Sequence, residues 1–477
     1  AILGPPPAAV PVPQTRAGWA ALGDLNRYQW FVFAVAAIAW MADCMDQQLF
    51  NLARKTAITA LTGGDPASPE VTTFATISTS IFLIGWAAGG LVFGMFGDRI
   101  GRVRTLTLTI LLYSIFTGLS AASVHVADFC LYRFLTGLGV GGVFSAAVAL
   151  LAETMPANAR PYTLGLMQAM SAIGNCTAAG LFILLGLMEL NGYLDPLHPL
   201  TAWRIMFLVG IIPALLVIFI QRRLREPESW MQARDAAAAG TGKKLGSYGD
   251  LFGEQSTRRN ALLGMTLSFA GVVGLWGIGF FSIDLQQEIF RGTFAAEAEA
   301  QGLTGDAAAH YIKGQNVIWA GVTSLMLNVG AFFGMSAFSW AAQRLGRRPA
   351  FAVFFLLAGI TTGGLFVFMK TRADILWMTP LMGFCLLALF GGYAIYLPEL
   401  FPTRLRSTGT SFCYNVGRFV AAAGPLGLGF LTNVVFAKER GYAEPSRDAG
   451  LAMCAVFLLG IAVLPFLPET KGQPLPE

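Results

Sequence analysis

The sequence predicts an all-α membrane protein, with twelve transmembrane helices in two pseudo-symmetric six-helix bundles. Three observations support this fold class: the composition, the length of the apolar runs and a pair of charged motifs that recurs along the chain. Of the 477 residues, 55% are hydrophobic and 12% are charged. Soluble proteins carry about 25% charged residues, and long apolar runs account for the deficit.

Taken in order along the chain, the apolar runs give the twelve predicted spans. They lie near residues 28–53, 74–97, 103–123, 128–151, 162–188, 204–222, 259–284, 315–342, 350–369, 375–397, 408–436 and 450–467. Each run approaches or exceeds the roughly 20 residues that a membrane helix needs. The 55 glycines also suit helices that pack closely in a bilayer.

Two charged motifs occur twice, and this repetition explains how the spans are organised. Residues 94–104 (GMFGDRIGRVR) follow span 2, and residues 343–349 (QRLGRRP) follow span 8. A second pair follows spans 4 and 10: Glu153 with Arg160, and Glu399 with Arg406. The offsets of 245 and 246 residues indicate a duplicated helical unit. In so apolar a chain, a duplicated unit is typical of a two-halved membrane transporter.

The repeat and the spans together predict the domain boundaries. We expect an N-terminal segment 1–27, an N-terminal bundle 28–222, a linker 223–258, a C-terminal bundle 259–468 and a tail 469–477. The polar and basic linker is predicted to include an amphipathic surface helix. Segment 288–312 is predicted to be a long acidic outer loop with a small helix at the mouth of the bundle.

The distribution of charge predicts the orientation in the membrane. The side that holds both termini and the loops after even-numbered spans carries 20 Lys+Arg and 11 Asp+Glu, against 10 and 14 on the other side. Because positive charge marks the cytoplasmic side, we expect both termini in the cytoplasm and a multi-pass protein of the plasma (inner) membrane. Most of the basic residues behind the net charge of +5 lie in the loops between spans, so we expect no nucleic-acid partner. We also expect a monomer.

The sequence offers no catalytic constellation. Six cysteines lie inside spans or at their ends without a CxxC pair, and the three histidines fall in outer loops. The sequence shows no cluster with metal-ligand spacing, no phosphate-binding loop and no Ser/His/Asp triad. We therefore expect the protein not to be an enzyme and to have no cofactor or metal site. The run Gly137–Gly142 (GLGVGG) lies inside span 4, where its glycines are expected to allow close helix contact.

Four ionisable residues lie inside spans, where a charge is costly and usually functional. Asp43 and Asp46 of span 1 are three positions apart and share one helix face. With no histidine inside a span, they are the candidates to carry a proton. Arg418 of span 11 offers a planar fork that matches a carboxylate, although it could also serve as a structural partner of Asp43 or of backbone carbonyls. Asn415 lies one turn away and could bind the same ligand.

Further polar and aromatic residues are candidates for the cavity wall, with simple packing as the open alternative. They are Gln168 and Asn175 in span 5, Trp276 in span 7, and Tyr393 and Tyr396 in span 10.

The repeated loop motifs are predicted to form a gate on the basic side. Its residues are Gly94, Asp98, Arg99, Gly101, Arg102, Glu153, Arg160, Arg344, Gly346, Arg347, Glu399 and Arg406. We expect Asp98 to cap a helix or to meet arginines across the seam between the halves, and Glu153 and Glu399 to pair with the arginines seven residues later. We call the ion pairs of this gate the latch. Because the second copy has Gln343 at the place of Asp98, the latch should be asymmetric. Anchoring by positive charge is the alternative.

These motifs resemble the signature loops of the major facilitator superfamily, and the resemblance covers about 440 residues. Three segments look like the sugar-porter clan, which includes organic-ion transporters: 133–137 (RFLTG), 396–406 (YLPELFPTRLR) and 468–472 (PETKG). The Asp43–Asp46 segment (DCMD) is similar to the Asp-Gly-aromatic-Asp signature of proton symporters for aromatic acids and sialic acid, with Cys and Met at the middle positions. The Asn415–Arg418 segment resembles the Gly-Arg segment of organic-anion carriers.

The resemblance implies a mechanism as well as a fold. Symporters of this clan pair a span-1 aspartate with a span-4 arginine, and the matching residues here are Asp46 and Arg133. The pair would act as a proton-sensitive switch; a permanent ion pair is the alternative. We therefore expect alternating access and proton-coupled symport of a small organic carboxylate. A sugar-like solute symporter or uniporter and an organic-cation or drug antiporter remain open, although the absence of hexose-carrier motifs in spans 7 and 10 disfavours hexoses.

Overall fold

The computed structural model of this chain describes residues 18–65, 68–279, 281–421, 430–436, 441 and 444–476. Within these residues all regular structure is helical. The predicted fold class, an all-α membrane protein built as two helical bundles, is confirmed.

The N-terminal bundle contains five long helices and a broken sixth span. The helices are α1 Arg27–Thr62, α2 Pro69–Arg99, α3 Arg102–Ser120, α4 Val126–Thr154, α5 Arg160–Leu190, α6 Ala202–Val209 and α7 Leu216–Arg223. A 3-10 turn, Ile212–Leu215, separates α6 from α7. It contains Pro213, whose missing N–H interrupts the helix.

Two short helices, α8 Glu228–Ala238 and α9 Tyr248–Gly253, occupy the linker. The C-terminal bundle follows with α10 Gln255–Val273, α11 Phe281–Ala300, α12 Gly305–Leu345, α13 Arg347–Phe368, α14 Arg372–Tyr396, α15 Arg406–Ala421, α16 Pro445–Met453 and α17 Val456–Val463. A π-helical turn, Gly274–Gly279, ends α10.

Ten helical segments of the described chain are long and apolar enough to cross a membrane. Predicted span 6 corresponds to a shorter apolar helix, Ala202–Leu215. Predicted span 11 corresponds to α15, and residues 422–429 of that span lie outside the described residues.

The prediction of a long outer loop at 288–312 is wrong. The helices α11 and α12 extend through most of this segment, and only residues 301–304 join them. Its alanine and glutamate residues are strong helix formers. Glu297 accepts a hydrogen bond from Tyr311 Oη at 3.2 Å and pairs with Arg372 at the start of α14. These contacts hold the two helix extensions against the C-terminal bundle.

Glycines bring α2 and α4 into backbone contact, as the sequence predicted for span 4. A Cβ atom on Gly89 would collide with the backbone of Leu138, and one on Gly137 would collide with the backbone of α2. The second bundle repeats this crossing between α12 and α14, where Gly334 meets the backbone of Phe384. The duplication is therefore visible in the helix packing as well as in the loops.

Two seams join the bundles: α2 packs against α15, and α5 packs against α12. Along α2, a row of small residues faces α15, where Gly90, Gly94 and Gly97 lie against Asn415, Ser411 and Ser407. We call the end where α2, α4, α12 and α14 finish and α3, α5, α13 and α15 begin the basic end.

Candidate functional site

A narrow cavity of about 50 Å³ lies between the two bundles. The N-terminal bundle contributes Trp40, Cys44, Gln47, Gln48, Asn51, Trp86, Gln168, Ser171 and Asn175. The C-terminal bundle contributes Leu275, Trp276, Leu327, Asn328, Met335, Leu387, Phe390, Tyr414 and Arg418. In this conformation the cavity has room for only a few water molecules, so a larger ligand requires it to widen.

Arg418 supplies the one charged side chain of the wall described here. Its guanidinium carbon lies 4.0 Å from the ring centre of Trp86 and 4.3 Å from that of Tyr414. The Nη1 group donates to the Tyr414 carbonyl and to Asn415 Oδ1 at 3.3 Å. Its Nε is buried without a hydrogen-bond partner among the described residues. The planar side chain is thus held by aromatic rings and by its own helix.

Other wall residues also carry unpaired polar atoms, and most of these atoms are donors. Within the described chain, Trp40 Nε1, Trp86 Nε1 and Asn51 Nδ2 are buried donors without a partner, whereas Gln168 Oε1 is an unpaired acceptor. Buried polar atoms normally find partners. Such a donor-rich wall is suited to a ligand rich in acceptor oxygens.

Amide side chains of the wall connect the two bundles. Asn175 Nδ2 donates to Asn328 Oδ1 at 2.8 Å, from α5 to α12. Gln48 Nε2 donates to Ser324 Oγ at 2.9 Å, from α1 to α12. A ligand that competes for these amides would therefore act on contacts between the halves.

The two aspartates of α1 are buried beside this cavity and are not part of its wall. Asp43 Oδ2 accepts a 2.7 Å hydrogen bond from Gln47, a wall residue, so one hydrogen bond separates Asp43 from the cavity. Asp46 points into the N-terminal bundle, where its Oδ1 lies beside Gly210 and Thr117. Neither Asp46 oxygen has a hydrogen-bond partner among the described residues.

Arg133 is not ion-paired with Asp46 in the part of the chain that the structure describes, so the close pair that the resemblance implied is not present in this conformation. Its Nε and Nη2 groups donate to Ser120 Oγ at 3.0 and 2.6 Å. Its guanidinium carbon lies 4.7 Å from the ring centre of Phe207 and 5.5 Å from that of Phe50. Aromatic rings and a hydroxyl thus occupy the space around the cation.

Three predicted wall residues lie elsewhere. Asn415 faces the seam with α2, where its Nδ2 donates to Ser411 Oγ at 2.9 Å. The Tyr393 hydroxyl donates to the Leu267 carbonyl at 3.0 Å, inside the C-terminal bundle. The Tyr396 hydroxyl donates to the Pro468 carbonyl at 2.5 Å, near the basic end. Both tyrosines therefore pack within the C-terminal half, which is the alternative left open for these positions.

At the basic end, Asp98 caps a helix of the opposite bundle. Its carboxylate accepts hydrogen bonds from the N–H groups of Ser407 and Thr408, at 3.2 and 2.8 Å, and from Thr408 Oγ1 at 2.7 Å. It also pairs with Arg102 at 3.1 Å. A carboxylate at the first turn of α15 offsets both the unpaired N–H groups and the positive end of the helix dipole.

The glutamates of the repeat have different partners from those predicted. Glu153 pairs with Arg102 at 2.8 Å and with Arg406 of the other bundle at 2.9 Å. Glu399 pairs with Arg347 at 2.8 Å. The expected pairs with the arginines seven residues later are therefore wrong, because the arginine that opens α3 and the arginine that opens α13 hold these glutamates instead.

A second pair of glutamates caps the helices that follow the repeated loops. The Glu226 carboxylate accepts from the N–H groups of Arg102, Val103 and Arg104 at the start of α3. Glu469 accepts from two N–H groups at the start of α13. Burial raises the pKa of Glu226 despite these bonds. For Glu469 burial acts in the same direction, but the N–H groups outweigh it and its pKa lies below the ordinary value.

The remaining gate residues lie at the same end. Gly101 and Gly346 precede α3 and α13 with φ of 113° and 103°, which favours glycine. Gly94 is in contact with Ser411 across the seam. Arg99 Nε donates to the Gly246 carbonyl of the linker at 3.2 Å. Arg160 and Arg344 line a separate cleft described below.

Several wall residues were missed by sequence reasoning. They are Trp40, Gln47, Gln48, Asn51, Trp86, Asn328 and Tyr414. On α1 a signal was present, because polar residues recur at helical spacing from Asp43 through Gln47 to Asn51 inside an apolar span. The tryptophans carried no such signal, since aromatic residues are common throughout this chain.

Comparisons with known proteins agree with this architecture. The family model described as sugar (and other) transporter matches residues 19–256 and 263–470. A cis,cis-muconate transport protein of Acinetobacter baylyi is 30% identical, with 83% of this chain and 85% of the relative covered. A niacin transporter of the same organism is 24% identical, with coverage of 94% and 96%.

Among solved structures, the proton:xylose symporter XylE superposes with a TM-score of 0.68 at 17% identity, covering 94% of this chain and 98% of XylE. At that identity the likeness shows the fold alone. The family match and the coverage of the muconate relative extend over most of the sequence. This chain therefore belongs to the sugar (and other) transporter family, and its fold is that of XylE, a protein of the major facilitator superfamily.

Proposed function

We propose that this protein is a proton-coupled symporter of a small organic carboxylate. The observation that carries the proposal is the donor-rich cavity wall around one buried arginine, Arg418. A carboxylate offers acceptor oxygens to the unpaired donors and a charge to the guanidinium. The rings of Trp86 and Trp276 suit a planar, unsaturated carbon skeleton. Relatives named for muconate and niacin transport, both planar carboxylates, support this class of substrate.

The coupling proton is assigned to Asp46, with Asp43 beside it. Asp46 has no hydrogen-bond partner among the described residues and lies near Arg133, whose side chain is held by Ser120. Protonation of Asp46 would remove a buried charge at low cost in this arrangement. Deprotonation would draw Arg133 toward the carboxylate, so the two protonation states favour different packing inside the N-terminal bundle.

The two bundles would alternate access to the cavity by rocking about the seams. The excess of Lys and Arg favours the cytoplasmic side of the plasma (inner) membrane for the basic end, with both termini on that side. In this conformation the contacts of Asp98 and Arg406 hold the cytoplasmic ends of the bundles together. Their proposed role is a latch that opens when substrate is released inward.

Uptake into proteoliposomes tests this proposal. Counterflow with nicotinate, muconate and their neutral amides would define the substrate, and an inward proton gradient should then drive accumulation of the acid. The Asp46→Asn variant should still exchange substrate but should no longer accumulate it. Full gradient-driven accumulation by Asp46→Asn would refute the coupling assignment.

The amide-rich wall also favours a second candidate, a neutral polyhydroxylated solute. Gln47, Gln48 and Asn175 could bind hydroxyl groups, as carboxamides both donate and accept. The two candidates differ at Arg418, because Arg418→Ala should abolish binding of a carboxylate and spare binding of a neutral solute.

A further inference from the structure

The two copies of the latch are built from equivalent positions but carry different charges. In the first copy the residues are Asp98, Arg102, Glu153 and Arg406. In the second copy the residues at the repeat positions are Gln343, Arg347, Glu399 and Arg160. Two acids balance two arginines in the first copy, whereas one acid faces two arginines in the second, which leaves a net charge of +1.

The unbalanced charge resides on Arg160. Glu399 pairs with Arg347 at 2.8 Å, and among the described residues no ion pair joins Glu399 to Arg160. Arg160 Nη2 makes a long, 3.4 Å hydrogen bond to the Met155 carbonyl, and its Nε is buried without a partner in the described part of the chain. A half-buried guanidinium whose Nε is buried and unpaired is costly, so this position favours an anion.

Space for an anion is present at the same place. A cleft of about 840 Å³ opens between α5 and α12, lined by Gln343, Arg160, Arg344 and Tyr162 and by the ion pair of Arg347 with Glu399. Arg344 is exposed, and its guanidinium carbon lies 4.7 Å from the ring centre of Trp340. Besides the paired Arg347, two cations, one from each bundle, therefore face one cleft where the first copy of the latch has a second carboxylate.

We infer that this cleft binds a phosphate-type anion, either free or as a lipid headgroup, in place of the missing carboxylate. Arg160 and Arg344 hold it, since guanidinium groups bind phosphate through paired hydrogen bonds. The start of α5 contributes little, because the N–H groups of Arg160, Tyr162 and Thr163 already donate to backbone carbonyls. An anion that touches both bundles stabilises the state in which the basic end is closed.

Thermal unfolding of the full-length purified protein tests the inference. Inorganic phosphate is titrated against sodium chloride at equal ionic strength, and separately the protein is placed in nanodiscs with and without phosphatidylglycerol. The expected result is saturable stabilisation by one or both. Arg160→Gln and Arg344→Gln should each weaken the apparent affinity by about tenfold, the effect of losing one charge-assisted bond. Arg104→Gln removes an exposed charge at the same end outside the cleft and should change nothing.

The variant Gln343→Asp supplies the missing acid from within the chain. It should raise the melting temperature without phosphate and remove the response to it. Stabilisation by phosphate alone assigns a free anion, and stabilisation by phosphatidylglycerol alone assigns a headgroup; each supports the inference. No saturable response to either, or an equal response of Arg344→Gln and Arg104→Gln, would overturn it. Arg344 is exposed, so its variant remains informative if Arg160→Gln fails to fold.

Discussion

Arg418 shows how a charged side chain can be buried inside a membrane protein and still keep an unpaired donor among the described residues. Its flat faces are covered by Trp86 and Tyr414, and one edge is bonded to its own helix. The Nε edge remains without a partner among the described residues. The aromatic contacts favour the cation, and the unpaired donor gives the site its proposed selectivity for carboxylates.

The variant Arg418→Lys separates charge from geometry. Lysine keeps the positive charge but loses the planar fork and much of the stacking on Trp86. We expect the affinity for the carboxylate substrate to fall by at least about tenfold, with little change for its neutral amide. Equilibrium binding by isothermal calorimetry measures both. Unchanged affinity for the acid would contradict the assignment of Arg418 as the anion-binding group.

Single residues were predictable from sequence where chemistry is unusual for a membrane span. Arg418, Gln168, Asn175 and Trp276 were proposed for the wall and lie there. Tyr393 was also proposed, but it points into its own bundle. Whether a residue lines the cavity or packs inside a bundle depends on the helix face that carries it. An aromatic residue suits both environments, so the sequence alone could not separate Tyr393 from the wall residues.

Glycines on both helices allow the close crossing of α2 and α4. In both bundles, the repeated glycines let one helix backbone touch the next. Membrane helices associate largely through such close contact. The crossing therefore sets the relative position of the helices that carry Trp86 and Arg133.

The variant Gly89→Val tests this crossing. Its side chain would collide with the backbone of Leu138, and we expect a loss of at least 1–3 kcal/mol of stability, about the range for overpacked cores. Gly180→Val on α5 is the matched control, since no described residue lies within 4 Å of a Cβ there. The yield of monodisperse protein and its melting temperature are the measurements. Equal behaviour of the two variants would show that the crossing tolerates larger side chains.

At the level of helices, the apolar runs predicted the fold class well but not every boundary. Span 6 is broken because Pro213 interrupts it, and hydropathy averaged over a window does not register one proline. The segment 288–312 lies between two apolar runs, which predicts a loop, yet its alanines favour helix. Hydropathy reports where a helix enters lipid, whereas α11 and α12 continue beyond the apolar stretch.

Across the whole molecule, the bundles are joined at the basic end by one copy of the latch more strongly than by the other. Asp98 and Glu153 reach across to the first turn of α15. Gln343, at the repeat position of Asp98, lines an open cleft. The asymmetry predicted from Gln343 thus has a geometric counterpart.

Removing the charge at Asp98 should loosen the closed state. The measurement is the rate at which maleimide labels a cysteine placed at Ser411, in a background without the native cysteines. We expect Asp98→Asn to raise this rate by about tenfold, because a charge-assisted cap is weakened. Ser411 lies in the seam beside Gly90 and Gly94. Gln343→Asn is the control and should leave the rate unchanged. A rate insensitive to Asp98→Asn would show that the cap does not hold the seam.

The Asp98 cap has a consequence for the role of solvent. While the basic end is closed, two N–H groups of α15 are satisfied by a carboxylate from the other bundle rather than by water. When the bundles separate, both the carboxylate and the first turn of α15 must be hydrated. In the proposed rocking cycle, water is therefore taken up and released at this point, and osmotic stress from solutes too large to enter the seam should slow the opening step.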